Sequence, residues 1–207
     1  MGKAELTRPI SAKDVEEVTG IEVDLRDFSV ADSSDVLDVG AGGEAVIFRS
    51  IRKDIFGLEA AEEEIDATKE KGIEDAVGAK IHWIQGDARE MPLDDESFDV
   101  VTSFFTCMYL REQESKQQFF NECFRVLRSG GEVHLWDFSI KTDKQVFVGK
   151  LKIFLPDNEV VNASYGLGGE SKEQTLEAII DYATKAGFVC EKQELKCPSF
   201  YIKFKKP

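Results

Sequence analysis

Five short apolar runs constrain this chain more than any other feature: Val36 to Val39, Ile55 to Leu58, Ile81 to Ile84, Val100 to Phe105 and Val133 to Trp136. Each is rich in β-branched or aromatic residues, and each is continuous, not alternating, which is the pattern of a strand covered on both faces. Segments with helical spacing separate them: Ala45, Val46, Phe48 and Ile51 after the first run, Ala60 to Ala76 after the second, and Glu112 to Leu127 after the fourth. In the last segment Phe120, Phe124 and Leu127 stand at spacings of four and three beside Phe119, Cys123 and Val126, giving one broad apolar face to lay on a sheet. Strand, helix, strand in succession winds right-handed and builds an open, doubly wound α/β sheet, mostly parallel, with helices on both faces.

The ends of the chain depart from that pattern. Ser11-Ala12-Lys13-Asp14 reads as a capping box, predicting a short helix that Gly20 closes, so residues 1–35 are expected to form a helical extension ahead of a domain at 36–207. Val146 to Leu155 and Glu159 to Tyr165 flank the turn signal Pro156-Asp157-Asn158 and predict an antiparallel hairpin inserted near 145–165. Ser171-Lys172-Glu173-Gln174 is a second capping box, opening a helix with Leu176, Ile179, Ile180 and Ala183 on one side and Gly187 at its end. Phe188 to Leu195 and Phe200 to Phe204 supply two closing strands, which brings the expected sheet to seven.

With 40 acidic against 26 basic residues the net charge is −14, the wrong sign for a main partner made of nucleic acid. The most apolar window, Val100 to Leu110, is about half of the roughly 20 residues a membrane helix needs. Cys107, Cys123, Cys190 and Cys197 have neither metal-site spacing nor the density of a disulfide scaffold, and His82 and His134 lie far apart in apolar runs. No metal site is expected. Reduced thiols, and no basic segment leading into an apolar stretch, predict a cytoplasmic protein.

The strongest local signal is VLDVGAGGEA, Val36 to Ala45, where a buried strand runs into glycines and then a helix. A glycine at 40 permits the tight turn, and one at 42 lets the backbone approach a ligand. Gly40, Gly42 and Ala45 satisfy the dinucleotide fingerprint G-x-G-x-x-A, and Glu59 stands nineteen residues after Gly40, near the spacing of a ribose-binding acid. A nicotinamide or flavin oxidoreductase is therefore one reading. Charge argues against it, because Asp38 stands just before the glycines and Glu44 in the expected first helical turn, and two carboxylates repel a pyrophosphate by about 1 kcal/mol each at ~4 Å even in water. S-adenosylmethionine carries no phosphate, and its sulfonium and ammonium are favoured beside carboxylates.

These residues resemble the class I S-adenosylmethionine-dependent methyltransferases, in particular the small methyltransferase type 11 group. The resemblance covers roughly Val36 to Asp137. It rests on VLDVGAGGE, on IFGLEAA at Ile55 to Ala61, on IQGDAREMPLDDESFDVVTS at Ile84 to Ser103, and on FRVLRSGGEVHLWD at Phe124 to Asp137. It implies a Rossmann-like fold and S-adenosyl-L-methionine as cofactor. Position by position it implies Asp38, Gly40, Ala41, Gly42 and Glu44 at the methionine part, Glu59 and Ala60 at the ribose, Asp87 and Ala88 at the adenine, and the Phe104 backbone at the methionine. Glu44 departs from the family pattern, which has a third glycine there.

Methyl transfer from a sulfonium is an in-line displacement with a good leaving group already in place, so alignment and exclusion of water are the main requirements and no fixed triad is expected. Acceptor-side candidates come from the ends of the fourth and fifth strands: Phe105, Thr106, Cys107, Tyr109, Asp137 and Phe138, with Tyr109 to orient a polar acceptor and Asp137 as base or amine grip. The small hairpin is expected to act as a lid or as the contact of a homodimer, and the acceptor to be a small molecule. A methyltransferase-like protein that binds the cofactor without turnover is the alternative within the same family.

Overall fold

Strand β1 (Val15–Asp24) stands apart from the strands made by the five apolar runs: β2 (Val36–Val39), β3 (Ile55–Glu59), β4 (Ile81–Gln85), β5 (Phe98–Phe104) and β6 (Leu127–Phe138). Strands β7 (Val146–Phe154), β8 (Val160–Gly168), β9 (Val189–Lys196) and β10 (Ser199–Lys205) follow in the computed structural model, which describes residues 11–169 and 173–207. Seven strands form one sheet in the order β4-β3-β2-β5-β6-β10-β9. The first five run parallel, whereas β10 lies antiparallel between β6 and β9, so the sheet is mixed with one reversed strand. The order reverses at β2, whose neighbours are β3 and β5, and a reversal point of this kind opens a crevice at the carboxyl ends of the strands.

Both faces are covered. On one, Phe119, Phe120 and Cys123 of α4 (Gln113–Val126) and Ile179 and Ala183 of α5 (Leu176–Ala186) pack against Leu37, Val101 and Leu135. On the other, Phe48 of α1 (Val46–Ile51) and Ile73 of α3 (Ile73–Val77) meet Val36, Ile55 and Val100. Between β3 and α3 runs α2 (Glu62–Glu70), and Gly72, at φ +62°, breaks the expected 60–76 helix in two. The segment 86–97 from β4 to β5 is a loop, not a helix. Its backbone is pinned to α4 by Arg125, which donates to Leu93 O (2.7 Å) and Met91 O (3.0 Å), and by Glu122, which accepts from Met91 N (2.7 Å).

Two sequence expectations about the ends are corrected. The capping box at Ser11 does form, with Ser11 N and Oγ donating to Asp14 Oδ2, but it caps only a single 3-10 turn. The chain beyond it is strand β1, which pairs in parallel with β7 across a bulge between Val18 and Ile21, and Gly20, at φ +75°, lies in that bulge. The expected helical extension is therefore the edge of a three-stranded sheet in the order β1-β7-β8, in which the predicted hairpin supplies the other two strands. Helix α5 begins later than its proposed box: Thr175 is the N-cap, accepting from Ala178 N at 3.2 Å, while Gln174 pairs with Ile140 and donates its side-chain amide to Phe138 O. Ser171 and Lys172 lie outside the described residues.

The small sheet packs its apolar side, including Ile21, Val23, Phe147, Leu151 and Leu167, on Phe104, Phe105, Trp136 and Phe138, which end β5 and β6. It thus roofs the carboxyl ends of the central strands.

Candidate functional site

The glycine loop leaves β2 at the reversal point. Gly40 adopts φ +78° and donates its N–H to Leu58 O at 2.8 Å, and a Cβ there would fall 2.2 Å from Thr106 Oγ1. At Gly42 a Cβ would meet Glu59 Oε2 at 3.0 Å and Glu64 Cβ at 3.1 Å. The two glycines therefore let the loop pack closely on Thr106, Glu59 and Glu64, forming a backbone cradle at the ends of β2, β3 and β5. Helix α1 starts only at Val46, behind Ala45 in a left-handed conformation at φ +46°, so Glu44 sits in the loop and not in the first helical turn as the sequence suggested.

Carboxylates end three neighbouring strands around this cradle. Asp38, 3% exposed, accepts a hydrogen bond from Thr102 Oγ1 at 2.7 Å, and burial, helped by the charge of Glu59, pushes its carboxyl up to about 7. Glu59 Oε1 accepts from Ala60 N (2.9 Å) and Ala61 N (3.2 Å), and Oε2 faces Gly42 N at 3.4 Å. Asp87 closes an Asx turn on Arg89 N (2.8 Å) and pairs with the Arg89 guanidinium, Nη2 to Oδ2 at 2.5 Å, which holds its carboxyl below the usual range. A carboxylate offers about four lone-pair sites, so Asp87 keeps acceptor capacity beside that pair. Ala88 is half-buried next to it against the main core. Glu44 is held by Arg49 Nη1 at 3.2 Å and Lys71 Nζ at 2.6 Å.

On the acceptor side the candidates separate. Phe104 is buried, and Phe105 follows it at φ +52°, unusual for an aromatic residue, with its N–H donated to Trp136 O at 2.8 Å. Tyr109 is half-buried and lies against the backbone of Gly166 in β8; burial raises its phenol. Cys107 and Asp137 do not join them. The Cys107 side chain is fully enclosed, and burial pushes its thiol up. Asp137, also fully enclosed, accepts from Met108 N at 3.0 Å and Phe138 N at 2.7 Å, and burial raises its carboxyl to about 7. Oδ2 holds the 107–109 turn against β6 and Oδ1 accepts from the next residue of β6, and the enclosed side chain presents no surface to a substrate.

Tyr165 was missed from sequence. Its ring stacks on Phe105 (centroids 5.1 Å, interplanar 25°) and meets Phe104 edge-on at 6.3 Å. Only its aromatic character within the partly alternating 159–165 run could have suggested it, and that run does not reveal what it faces. Beside this cluster a cleft of about 260 Å³ opens between the two sheets, lined among others by Leu25, Phe28, Phe105, Trp136 and Tyr201. His82 and His134 stand on β4 and β6; His134 shares a hydrogen bond with Tyr201 Oη at 2.9 Å, and burial pushes its imidazole down to about 4.

Comparison with known proteins bears on this site. Residues 37–135 match a family described as a methyltransferase domain. The chain is 32% identical over 108 residues to the ubiquinone/menaquinone biosynthesis C-methyltransferase UbiE of Roseobacter denitrificans, which covers 50% of this chain and 42% of that protein. It is 31% identical over 98 residues to the human mitochondrial 2-methoxy-6-polyprenyl-1,4-benzoquinol methylase, covering 47% of this chain and 26% of that one. The chain thus spans less than half the length of these curated relatives. Among solved structures, an S-adenosylmethionine-dependent methyltransferase from Methanosarcina mazei superimposes with a TM-score of 0.64 at 16% identity, covering 86% of this chain and 94% of that one. One from Aquifex aeolicus gives 0.61 at 17%, covering 88% and 87%. The cyclase SpnF shares the fold too, at 0.58 and 19%, covering 82% and 56%. At these identities the likeness is one of fold.

Proposed function

Residues 37–135 match a family described as a methyltransferase domain, and we propose that the chain is a class I S-adenosylmethionine-dependent methyltransferase that moves a methyl group from S-adenosylmethionine to a small-molecule acceptor. One observation carries the reading: Asp38, Glu59 and Asp87 stand at or just beyond the carboxyl ends of three neighbouring strands, β2, β3 and β4, beside the turn of the glycine loop. That donor set suits a ligand bearing a diol, an amino group and positive charge, and it repels a pyrophosphate.

When bound, the cofactor supplies an electrophilic methyl on a sulfonium, with a neutral thioether as leaving group. The chain's own residues bind and align. Glu59 accepts from the ribose hydroxyls, Asp87 with the Ala88 backbone takes the adenine edge, and Gly40, Ala41 and Gly42 let the backbone reach the methionine part beside Phe104. Asp38 sits beneath the loop as a buried carboxyl that a nearby cation favours in its charged form. The roof of β1, β7 and β8 excludes water from the acceptor side, and this is the role we give the hairpin in place of a subunit contact. Phe104, Phe105, Trp136 and Tyr165 suit a flat aromatic acceptor, and the quinol named for the human relative makes methoxy-benzoquinols the first compounds to try.

Calorimetric titration tests the reading. S-adenosylmethionine and S-adenosylhomocysteine are expected to bind with micromolar Kd, on the order of −8 kcal/mol, and Glu59→Gln or Asp87→Asn to weaken both about tenfold. Absence of binding by both compounds overturns it. If they bind but no methylated product forms across quinols, phenols, amines, carboxylic acids and thiols, the protein is a cofactor binder without turnover.

A further inference from the structure

The loop residue Glu44 adds a carboxylate to the loop that, in the reading above, receives the methionine part of the cofactor with its own carboxylate. Left alone, that charge opposes binding. The structure surrounds it with cations. Arg49 of α1, its side chain 16% exposed, donates Nη1 to Glu44 Oε2 at 3.2 Å and to Glu44 O at 3.4 Å, while its other nitrogen pairs with Glu159 at the hairpin turn. Lys71, which ends α2, reaches Glu44 Oε1 at 2.6 Å and Gly43 O at 2.8 Å. Arg52 pairs with Asp157 on the same turn. Glu44, Arg49, Arg52, Lys71 and Glu159 line a cleft of about 320 Å³ behind the loop.

We propose that Arg49 is a positioning residue of the cofactor loop: held by Glu159 of the hairpin turn, it turns the Glu44 carboxylate away from the cradle and balances its charge, so that the loop accepts the carboxylate of the cofactor's methionine part. The inference rests on the S-adenosylmethionine reading above. Its physical content is the sum of charges at the loop. With Arg49 in place, Glu44 faces two cations and its field at the cradle is small. With Arg49 removed, Lys71 alone remains, on the more exposed side, and Glu44 is free to swing toward the ligand carboxylate. The adenosine half carries no carboxylate for Glu44 to repel, so a change in the Glu44 charge should weigh mainly on the amino-acid half of the ligand.

Two probes separate these halves: S-adenosylhomocysteine carries the amino-acid carboxylate and 5′-methylthioadenosine does not. Titrations are run on the wild type and on Arg49→Met, Arg49→Lys and the pair Glu44→Gln/Arg49→Met, each checked by thermal melting. Expected is a loss of about fivefold or more in S-adenosylhomocysteine affinity for Arg49→Met, the size of a modest coupling, with 5′-methylthioadenosine changed less than about twofold. Arg49→Lys, and removal of the Glu44 charge in the pair, should recover most of the loss. Equal weakening of both probes, or no recovery in the pair, means that Arg49 merely supports the fold and overturns the proposal. Unchanged S-adenosylhomocysteine affinity in Arg49→Met overturns it as well. Should the wild type bind neither probe, the cofactor reading itself falls, an outcome distinct from the others.

Discussion

Asp38 makes the cofactor cradle sensitive to pH in a direction opposite to most surface carboxylates. In the unfolded chain its carboxyl titrates near 3.8, and in the fold, fully buried with Thr102 as its hydrogen-bond donor, near 7. Between those values the folded state holds a proton that the unfolded state has released, so the Asp38 contribution to stability is complete at low pH and is lost as pH rises toward 7. At about 1.36 kcal/mol per pH unit the whole difference is worth about 4 kcal/mol, of which roughly 3 falls between pH 5 and 8. Asp137, raised for the same reason, slopes the same way, while His134, lowered to about 4, opposes both between pH 4 and 6.5. The wild-type curve therefore mixes three groups. The substitution Asp38→Asn isolates one, because the amide keeps the size and an oxygen for Thr102 but cannot ionise. Urea unfolding of both proteins from pH 5 to 9 at fixed ionic strength should show the wild type losing about 3 kcal/mol relative to the variant by pH 8 and nothing further above it. With an m-value of about 2 kcal/mol/M this is a relative shift of about 1.5 M in midpoint. A difference between the two proteins that stays level from pH 5 to 8 would refute the argument, since Asp38 would then ionise in the fold as it does in the unfolded chain.

Other outcomes follow from single contacts. Lys206 donates to Phe124 O (2.9 Å) and Leu127 O (2.6 Å) at the end of α4, so Lys206→Met, which keeps the stem, should cost about 1–3 kcal/mol and several degrees in melting temperature. Gly149→Ala would put a Cβ 2.2 Å from Phe138 Cζ in the seam between roof and sheet; a loss of about 1–3 kcal/mol or more, with faster hydrogen exchange in β7 and β8, is expected. Tyr165→Ala removes the ring stacked on Phe105 and should lower methyl transfer to an aromatic acceptor by about tenfold while leaving S-adenosylhomocysteine binding within about twofold, read from initial rates and calorimetry.

The parts legible in the sequence are those whose cause is local. The run VLDV is buried along its whole length and became β2 with Asp38 inside it, and IFGLE became β3 with Phe56 exposed and Glu59 at its end. Strand β1 was not legible, because its partner β7 lies far along the chain and the real capping box at Ser11 pointed to a helix that ends after one turn. Strand pairing is decided by such distant partners more than by propensity. The same limit applies within the site. Asp137 and Cys107 follow strand ends where acceptor residues are found, yet whether a side chain at such a position turns outward or folds back under a turn depends on neighbours like Met108 and Gln174. Tyr165 comes from the roof, and nothing in its own segment says which strand ends lie beneath it.

The pairing of Val15 with Val146 also sets an order of events. Residues 15–24 leave the ribosome early but have no strand to join until β7 has been made, so their acidic edge must stay in water in the meantime, which Glu16, Glu17, Glu22 and Asp24 make easy. The central strands β2 to β6, by contrast, are all synthesised before β7 and can assemble as they emerge. A nascent chain therefore has its glycine loop before it has a cover.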